Sequence, residues 1–489
     1  MDKVAPLKEN YSEPSPQSGL NFSLLSIQQM IKSIQFRSLA LFLIFSSKAL
    51  LAQIPLPTEA QLAWQNAEQV AVFHYDLHVF DGVKYNQAKN RITPIEDYNI
   101  FNPEKLDTDQ WIKAAKDAGC KIAILTATHE TGFALYQSDV NPYSLKAVKW
   151  QDGKGDIVRD FVASCRKYGV SPGIYIGIRW NSFYGVHDFK VNGDNDFAKE
   201  RQAHYNRISE GMVEELMSRY GELAIVWFDG GAHGPEQGGP DVLSIFEKHQ
   251  PNGLFYHNLQ RADIRWGGSE TGTVPYPCWG TYITPSWFNN RGDEDNFNPL
   301  KYGYPDGKYY IPAMSDAPLR GYNGRHEWFW EPGDDAHIYP LADFMNMYYK
   351  SVGRNSTLII GLTPNPDGFL PEPDVKRLKE WGDEIKQRFS NPIAETSGTG
   401  ETFKIALPSK QTINHLVLME DITFGERVRE FTVEGKTGGN WEIIFQGSVI
   451  GHKFIHRFDE QEFSAFRLKI NASVEQAKIL SFSVYNTNE

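Results

Sequence analysis

Between residues 108 and 386 the chain alternates two hydrophobic rhythms: apolar residues spaced three or four apart, then short unbroken apolar runs. Residues 108–119 put Trp111, Ile112 and Ala115 on one helical face, with Thr108 placed to cap the start and Gly119 to end it. The run 121–126 follows. Asp156 caps a second stripe of Ile157, Phe161 and Cys165, which Gly169 closes before the run 173–178. A third stripe, Ile208, Met212, Leu216 and Tyr220, leads into the apolar segment 222–228. A helix around 243–248 precedes the run 254–257, and Ser356–Leu362 precedes a last helix near 374–386. Strands that are apolar on both sides and alternate with amphipathic helices predict βαβ units around a parallel sheet.

The rhythm changes after Pro392. Residues 397–400 (Ser-Gly-Thr-Gly) read as a linker or turn, and alternating runs follow at 402–407, 415–419, 430–435, 441–447, 465–470 and 479–485. That spacing predicts an antiparallel β-sandwich. The expected α/β organisation is therefore a (β/α)8-like barrel over 56–392 and a C-terminal antiparallel β-sandwich over 393–489. A barrel is favoured over an open doubly wound sheet because no GxGxxG loop follows a strand and polar residues collect at many strand ends.

Residues 1–52 read as an overhang and an export signal. Met30-Ile31-Lys32 leads through Arg37 into the apolar stretch 39–45, and Ala52 precedes Gln53. The expected location is secreted or periplasmic, with a lone membrane anchor as the rival and Met30 as the expected true start.

Composition narrows the function. A net charge of −12 argues against a nucleic-acid partner, and aromatics at 13 % suit a sugar-binding cleft or a well-packed core. The three cysteines have no CxxC spacing, and no HExxH or EF-hand loop is present, so neither metal nor cofactor is expected. A serine hydrolase would need a GxSxG elbow, which is absent.

Chemistry-bearing residues gather where strands end. His74 and Asp76 follow Ala71-Val72-Phe73; His129 and Glu130 follow the next run; Tyr175 and Trp180 belong to the third; Asp229 closes Ile225-Val226-Trp227-Phe228; Glu270 comes after His257. A barrel brings such positions to one face. In this order the motifs resemble the retaining α-L-fucosidases of glycoside hydrolase family 29, over roughly residues 68–390, with the sandwich similar to that family's accessory domain.

Val226-Trp227-Phe228-Asp229-Gly230 is similar to the segment bearing the family's nucleophilic aspartate, and Phe73-His74 to its early sugar-contacting histidine motif. Thr128-His129-Glu130-Thr131-Gly132-Phe133 resembles its Lys-His-His-Asp-Gly-Phe stretch. Arg265-Trp266-Gly267-Gly268-Ser269-Glu270 resembles the acid/base segment of one branch. Trp328-Phe329-Trp330 and Ser351-Val352-Gly353-Arg354-Asn355 resemble late motifs, the first of which contacts sugar.

The resemblance implies a retaining exo-glycosidase acting on terminal α-L-fucosides of glycans, with Asp229 as nucleophile and Glu270 as acid/base. Two carboxyl groups about 5 Å apart are what such a double displacement needs. His74, His129, Glu130, Tyr175, Trp180, Trp227 and Trp328 are the implied sugar contacts, and Trp266 and Tyr276 are candidate apolar neighbours of Glu270. Thr128, Glu130, Thr131 and Asp76 depart from the family pattern at hydroxyl-recognising positions. An α-L-galactosidase on the same scaffold, or an inactive secreted carbohydrate-binding protein, are the alternatives. The expected partners are fucosylated or L-galactose-containing glycans, with no stable membrane span.

Overall fold

The computed structural model describes residues 54–288, 298–324 and 328–487. The overhang and export signal expected at 1–52 lie outside the described residues. Eight parallel strands form one sheet: β1 (Gln69–Phe73), β2 (Ile122–Thr128), β3 (Ser171–Ile176), β4 (Ile225–Ala232), β5 (Leu254–Asn258), β6 (Arg265–Trp266), β7 (Ala313–Pro318) and β8 (Ser356–Leu362). The spatial order β5-β4-β3-β2-β1-β8-β7-β6 is that of a barrel, nearly closed. The link that leads into β6 closes back on β5 through Asp263: the Phe255 N–H donates to the Asp263 carboxylate at 2.7 Å, and the Asp263 N–H to the Phe255 carbonyl at 3.1 Å.

Helices α1 (Glu59–Ala67), α2 (Thr108–Asp117), α3 (Ile157–Tyr168), α4 (Asp196–Arg219), α5 (Val242–His249), α6 (Leu341–Lys350) and α7 (Glu372–Phe389) accompany the strands. The link from β5 to β6, residues 259–264, carries no helix. Asp107, rather than Thr108, caps α2 by accepting from the Gln110 N–H at 2.9 Å; the Thr108 hydroxyl instead meets Ser164 Oγ on α3. Asp156 and the left-handed Gly169 bound α3 as the sequence predicts.

Alternation along each strand divides two cores. Val70, Val72, Ile122, Ile124, Ile225 and Trp227 fill the barrel interior with Trp64 of α1. Ala71, Phe73, Ala123, Leu125, Val226 and Phe228 face the helices and pack on Trp111, Phe161 and Trp381. The period of two fixes which residues look inward at the strand ends: Asp229 continues the Ile225–Trp227 side and His74 the Val70–Val72 side. On β2 a register shift between Thr126 and Thr128 breaks the alternation, so that Thr128 pairs with the outward Ile176 and His129 takes the inward place.

The C-terminal domain comprises β9 (Ala394–Thr399), β10 (Thr402–Glu420), β11 (Val428–Thr437), β12 (Asn440–Gly447), β13 (Phe454–Ser473) and β14 (Lys478–Tyr485), antiparallel in the order β9-β14-β10-β13-β11-β12 over a separate apolar core. The segment read as a linker or turn is the end of β9 and its turn into β10. The runs 402–407 and 415–419 are one strand: Pro408 looks like a break, but the backbone passes it through register shifts after Ala406 and Ile413. The Ser351–Asn355 motif belongs to the joint between barrel and sandwich. Asn355 donates from Nδ2 to Glu426 at 2.6 Å and to the Cys278 carbonyl at 3.0 Å, and its Oδ1 accepts from the His452 N–H.

Candidate active site

The carboxyl ends of the barrel strands converge on Asp229. Its carboxylate accepts from the Tyr175 hydroxyl on the neighbouring strand and from the Gly230 N–H. From Tyr175 a ring of aromatic contacts runs round the mouth. Tyr175 stacks on His129 at 5.4 Å, His129 meets His74 edge-on at 5.9 Å, and His74 lies 5.0 Å from Trp328. The Trp328 indole then donates to Glu270 Oε2 at 3.1 Å. Trp227 lies under Tyr175 at 5.7 Å, and Phe329 supports both imidazoles at 5.4 and 4.9 Å. The fold therefore brings together Asp229, Glu270, His74, His129, Tyr175, Trp227 and Trp328, drawn from β1 to β7.

Burial sets the protonation states. It pushes the Asp229 carboxyl above its ordinary range, the charge of Glu270 adds to this, and the Tyr175 and Gly230 hydrogen bonds oppose it. Burial lowers His74 to about 3, against the raising effect of Glu270, and takes His129 well below its ordinary value. Both imidazoles are neutral at working pH, able to donate from one nitrogen and accept at the other.

Glu130 and Trp180 stand to one side. Glu130 Oε1 receives Arg91 Nη2 at 2.7 Å and Nε at 2.8 Å, with Gln87 at 3.4 Å. Arg91 also lies over the Trp180 ring, 3.8 Å from its centroid, and Arg179 lies over it at 4.3 Å. Sequence reasoning passed over Arg91 because it sits in a polar loop with no periodicity to mark it. The departures from the family pattern compensate one another here. The Thr131 hydroxyl donates into the Asp76 carboxylate at 2.7 and 2.8 Å, so a carboxylate reaches this spot from the β1 loop rather than from position 131. Thr131→Val should leave the buried Asp76 carboxylate with the Leu77 N–H but without its hydroxyl donor and lower stability by about 1–3 kcal/mol, measured by urea unfolding; an unchanged midpoint would show that Asp76 needs no such donor.

Two expectations are corrected. Tyr276 is not beside Glu270: its hydroxyl donates to the Val449 carbonyl at 2.9 Å and its ring packs on Phe454, at the sandwich joint. Trp266 is no purely apolar neighbour either, since its indole donates to Asp316 at 2.9 Å. Asp316, buried in β7, was invisible in the sequence because Ser315, Asp316 and Pro318 mask that strand's apolar character. It fixes Trp266, four residues before Glu270, and so positions the loop that carries Glu270.

Glu130 makes a pH-dependent prediction. Burial, helped by the charges of Asp229 and Asp76 and opposed by Arg91, pushes its carboxyl from 4.5 to about 7. The folded chain thus binds this proton more tightly than the unfolded chain, and stability falls as pH rises through that window, by on the order of 3 kcal/mol. Glu130→Gln removes the titration. Its thermal midpoint relative to the native chain should rise between pH 5 and pH 8; a constant difference would rule the shift out.

Residues 57–388 match the family model described as Alpha-L-fucosidase. The chain belongs to the α-L-fucosidase family. It is 28 % identical to Alpha-L-fucosidase 1 of Arabidopsis thaliana over 452 residues, covering 83 % of this chain and 82 % of the relative. Among solved structures it is similar to a provisionally named α-L-fucosidase of Bacteroides thetaiotaomicron VPI-5482, at 57 % identity and a TM-score of 0.87, covering 89 % of this chain and all of the other. A glycoside hydrolase 29 family member from an unknown rumen bacterium superposes with a TM-score of 0.74 at 28 % identity, over 90 % of this chain and 78 % of its own. As a glycoside hydrolase of the α-L-fucosidase family, the chain carries its aspartate and glutamate on β4 and after β6 of the shared barrel.

Proposed function

We propose that this chain is a retaining exo-α-L-fucosidase that works through Asp229 and Glu270. One observation carries the reading: His74 Nδ1, His129 Nδ1, Trp227 Nε1 and Glu130 Oε2 are buried polar atoms with no hydrogen-bond partner among the described residues. Buried polar groups are as a rule hydrogen-bonded; the first three belong to the cluster that holds Asp229 and Glu270, and Glu130 lies to its side, near enough to Asp229 for the two charges to interact. Two neutral imidazoles, an indole N–H and a carboxylate oxygen form a set of donors and acceptors suited to the hydroxyls of one sugar. Membership of the α-L-fucosidase family supports an α-L-fucoside as that sugar.

In the first displacement Asp229 attacks the anomeric carbon, the bond to the glycosidic oxygen breaks, and Glu270 gives its proton to that oxygen. In the second, Glu270 takes a proton from water, the hydroxide so formed attacks the same carbon, and Asp229 leaves. Two inversions leave the configuration retained. The Tyr175 and Gly230 hydrogen bonds hold Asp229 ionised against its burial, and Trp328 holds Glu270 at its place.

Hydrolysis of aryl α-L-fucoside and aryl α-L-galactoside, compared side by side with the product anomer followed by NMR, tests the reading. Faster fucoside turnover with β-free retention of the α-anomer supports it. Faster galactoside turnover would reassign the substrate, and an inverted product would overturn the mechanism. Sugar binding without turnover of either would make the chain a carbohydrate-binding protein.

A further inference from the structure

Gly230, directly after Asp229, has a left-handed backbone with φ of 65°, and its N–H donates to the Asp229 carboxylate. It also leaves room for a cation. A side chain at this position would set its Cβ 2.7 Å from Cδ and 2.8 Å from Nη1 of Arg179, so the arginine lies against the space that glycine leaves open. Arg179 comes from the loop after β3, the strand beside β4. Ionisable groups from four elements thus act on Asp229. Tyr175 of β3 donates a hydrogen bond to it, Glu130 after β2 and Glu270 after β6 repel its charge, and Arg179 attracts it. Burial weighs most against the ionised form, and Arg179 is one of the groups that favour it.

Several contacts hold Arg179 in place. Its Nε and Nη2 both bond Asp188 Oδ1, at 2.8 and 2.7 Å, and its guanidinium lies over the rings of Trp180 and Phe189, 4.3 and 5.1 Å from their centroids. Asp188 and Phe189 are the turn residues of a hairpin that pairs Val186–His187 with Lys190–Val191, and both are left-handed, with φ of 51° and 71°. Aspartate and asparagine enter that region readily, whereas a phenylalanine does so only where its surroundings impose it. Here they do: the Phe189 N–H donates to the Arg179 carbonyl at 2.8 Å, and its ring stacks on His233 at 3.7 Å.

The turn also sets the charge of this group. Asp188 is 57 % exposed, and an ion pair so open to water offsets only part of the arginine's field. His233 faces the same guanidinium. Burial and the charge of Lys190 lower its pKa, Asp188 opposes them and Arg179 adds to them, so the imidazole stays neutral near pH 7. We propose that Arg179 is a positioning residue for the first displacement, keeping the Asp229 carboxylate ionised across Gly230, and that Asp188 sets how much of its charge Asp229 feels. The proposal rests on the retaining reading, in which Asp229 must be ionised to attack.

The test follows the acid limb of kcat/KM for an aryl α-L-fucoside, which reports ionisation in the free enzyme. Arg179→Met keeps an unbranched stem beside Gly230 and Trp180 but carries no charge. Its limb should move up by about half a pH unit, so that the rate on the limb falls about threefold further than the rate on the plateau. Arg179→Lys should return the limb towards its native position. Asp188→Asn, a change that the left-handed turn accepts, frees the arginine of its counter-charge and should move the limb down by a similar amount. Opposite signs separate this role from a structural one, since a loosened loop would impair both variants alike. Carboxyl-carbon NMR of the full chain, labelled at its aspartate side chains, follows Asp229 directly, with its signal assigned by loss in Asp229→Asn. The same order of midpoints is expected there. If Arg179→Met does not fold, Asp188→Asn decides alone, by moving the Asp229 midpoint down or leaving it in place. A midpoint unmoved in either folded variant, or moved in the same direction by both, would overturn the proposal. The expected order of midpoints in a chain that turns over no fucoside would overturn the fucosidase reading and leave the electrostatic arrangement standing.

Discussion

Asp229→Asn should lower turnover of an aryl α-L-fucoside by at least about 10³-fold, because the nucleophile of the covalent step is gone. The amide keeps the shape of the carboxylate, so the loss is not one of packing. Indeed, burial and the charge of Glu270 raise the Asp229 carboxyl above its ordinary range, which means that the ionised group costs folding free energy. A carboxyl with a raised folded-state pKa contributes stability below its unfolded pKa and loses it as pH rises. The neutral asparagine removes that loss, so the variant should melt at or above the native temperature at pH 7 while being nearly inactive. In Asp229→Gly, where the side chain is gone, added azide should restore part of the rate by attacking the anomeric carbon from the vacated side, giving a β-fucosyl azide. A variant with near-native rate on an activated substrate would take the role away from Asp229.

The second large effect is expected at Glu270. Glu270→Ala removes the proton donor that the leaving oxygen needs, and that need depends on the leaving group. Turnover of a fucosyl disaccharide, whose alkoxide is a poor leaving group, should fall by roughly 10²–10⁴-fold. A dinitrophenyl α-L-fucoside should be affected far less in its first step, and its slower second step should show as a burst of phenolate. Trp328→Phe gives a companion result: loss of the indole donor to Glu270 Oε2 should shift the pH profile of kcat while leaving burst behaviour intact. Equal losses on both substrates in Glu270→Ala would move the acid/base role to another carboxylate, with Glu130 next.

Strand-end chemistry was legible because it depends on local order. The segment from Ile225 to Phe228 is buried on both faces, so it must be a central strand, and the carboxylate that follows it, Asp229, must lie towards the strand's carboxyl end. Asp156 and Gly169 were legible as helix ends for the same reason: capping is settled within one turn. The strand Ala313–Pro318 was not, since the polar side chains in it are satisfied by partners far away, Asp316 by Trp266. Nor was the long strand Thr402–Glu420, where pairing on both sides carries the backbone past Pro408. Tyr276 stands six residues after Glu270 yet packs on Phe454, because the chain turns away from the cleft to reach the sandwich.

By itself the sequence determined the alternation of strands and helices over most of the barrel and the placing of His74 and Asp229 towards the carboxyl ends of β1 and β4, which follow from the periodicity of burial and from short ordered motifs. Only the tertiary structure decided what those residues do to one another. The pairing of Asp76 with Thr131, the Arg91 partner of Glu130 and the neutral state of His74 depend on contacts between loops distant in the chain and on depth from solvent. Periodicity carries no record of either, because the energy of a buried charge is set by whatever closes over it.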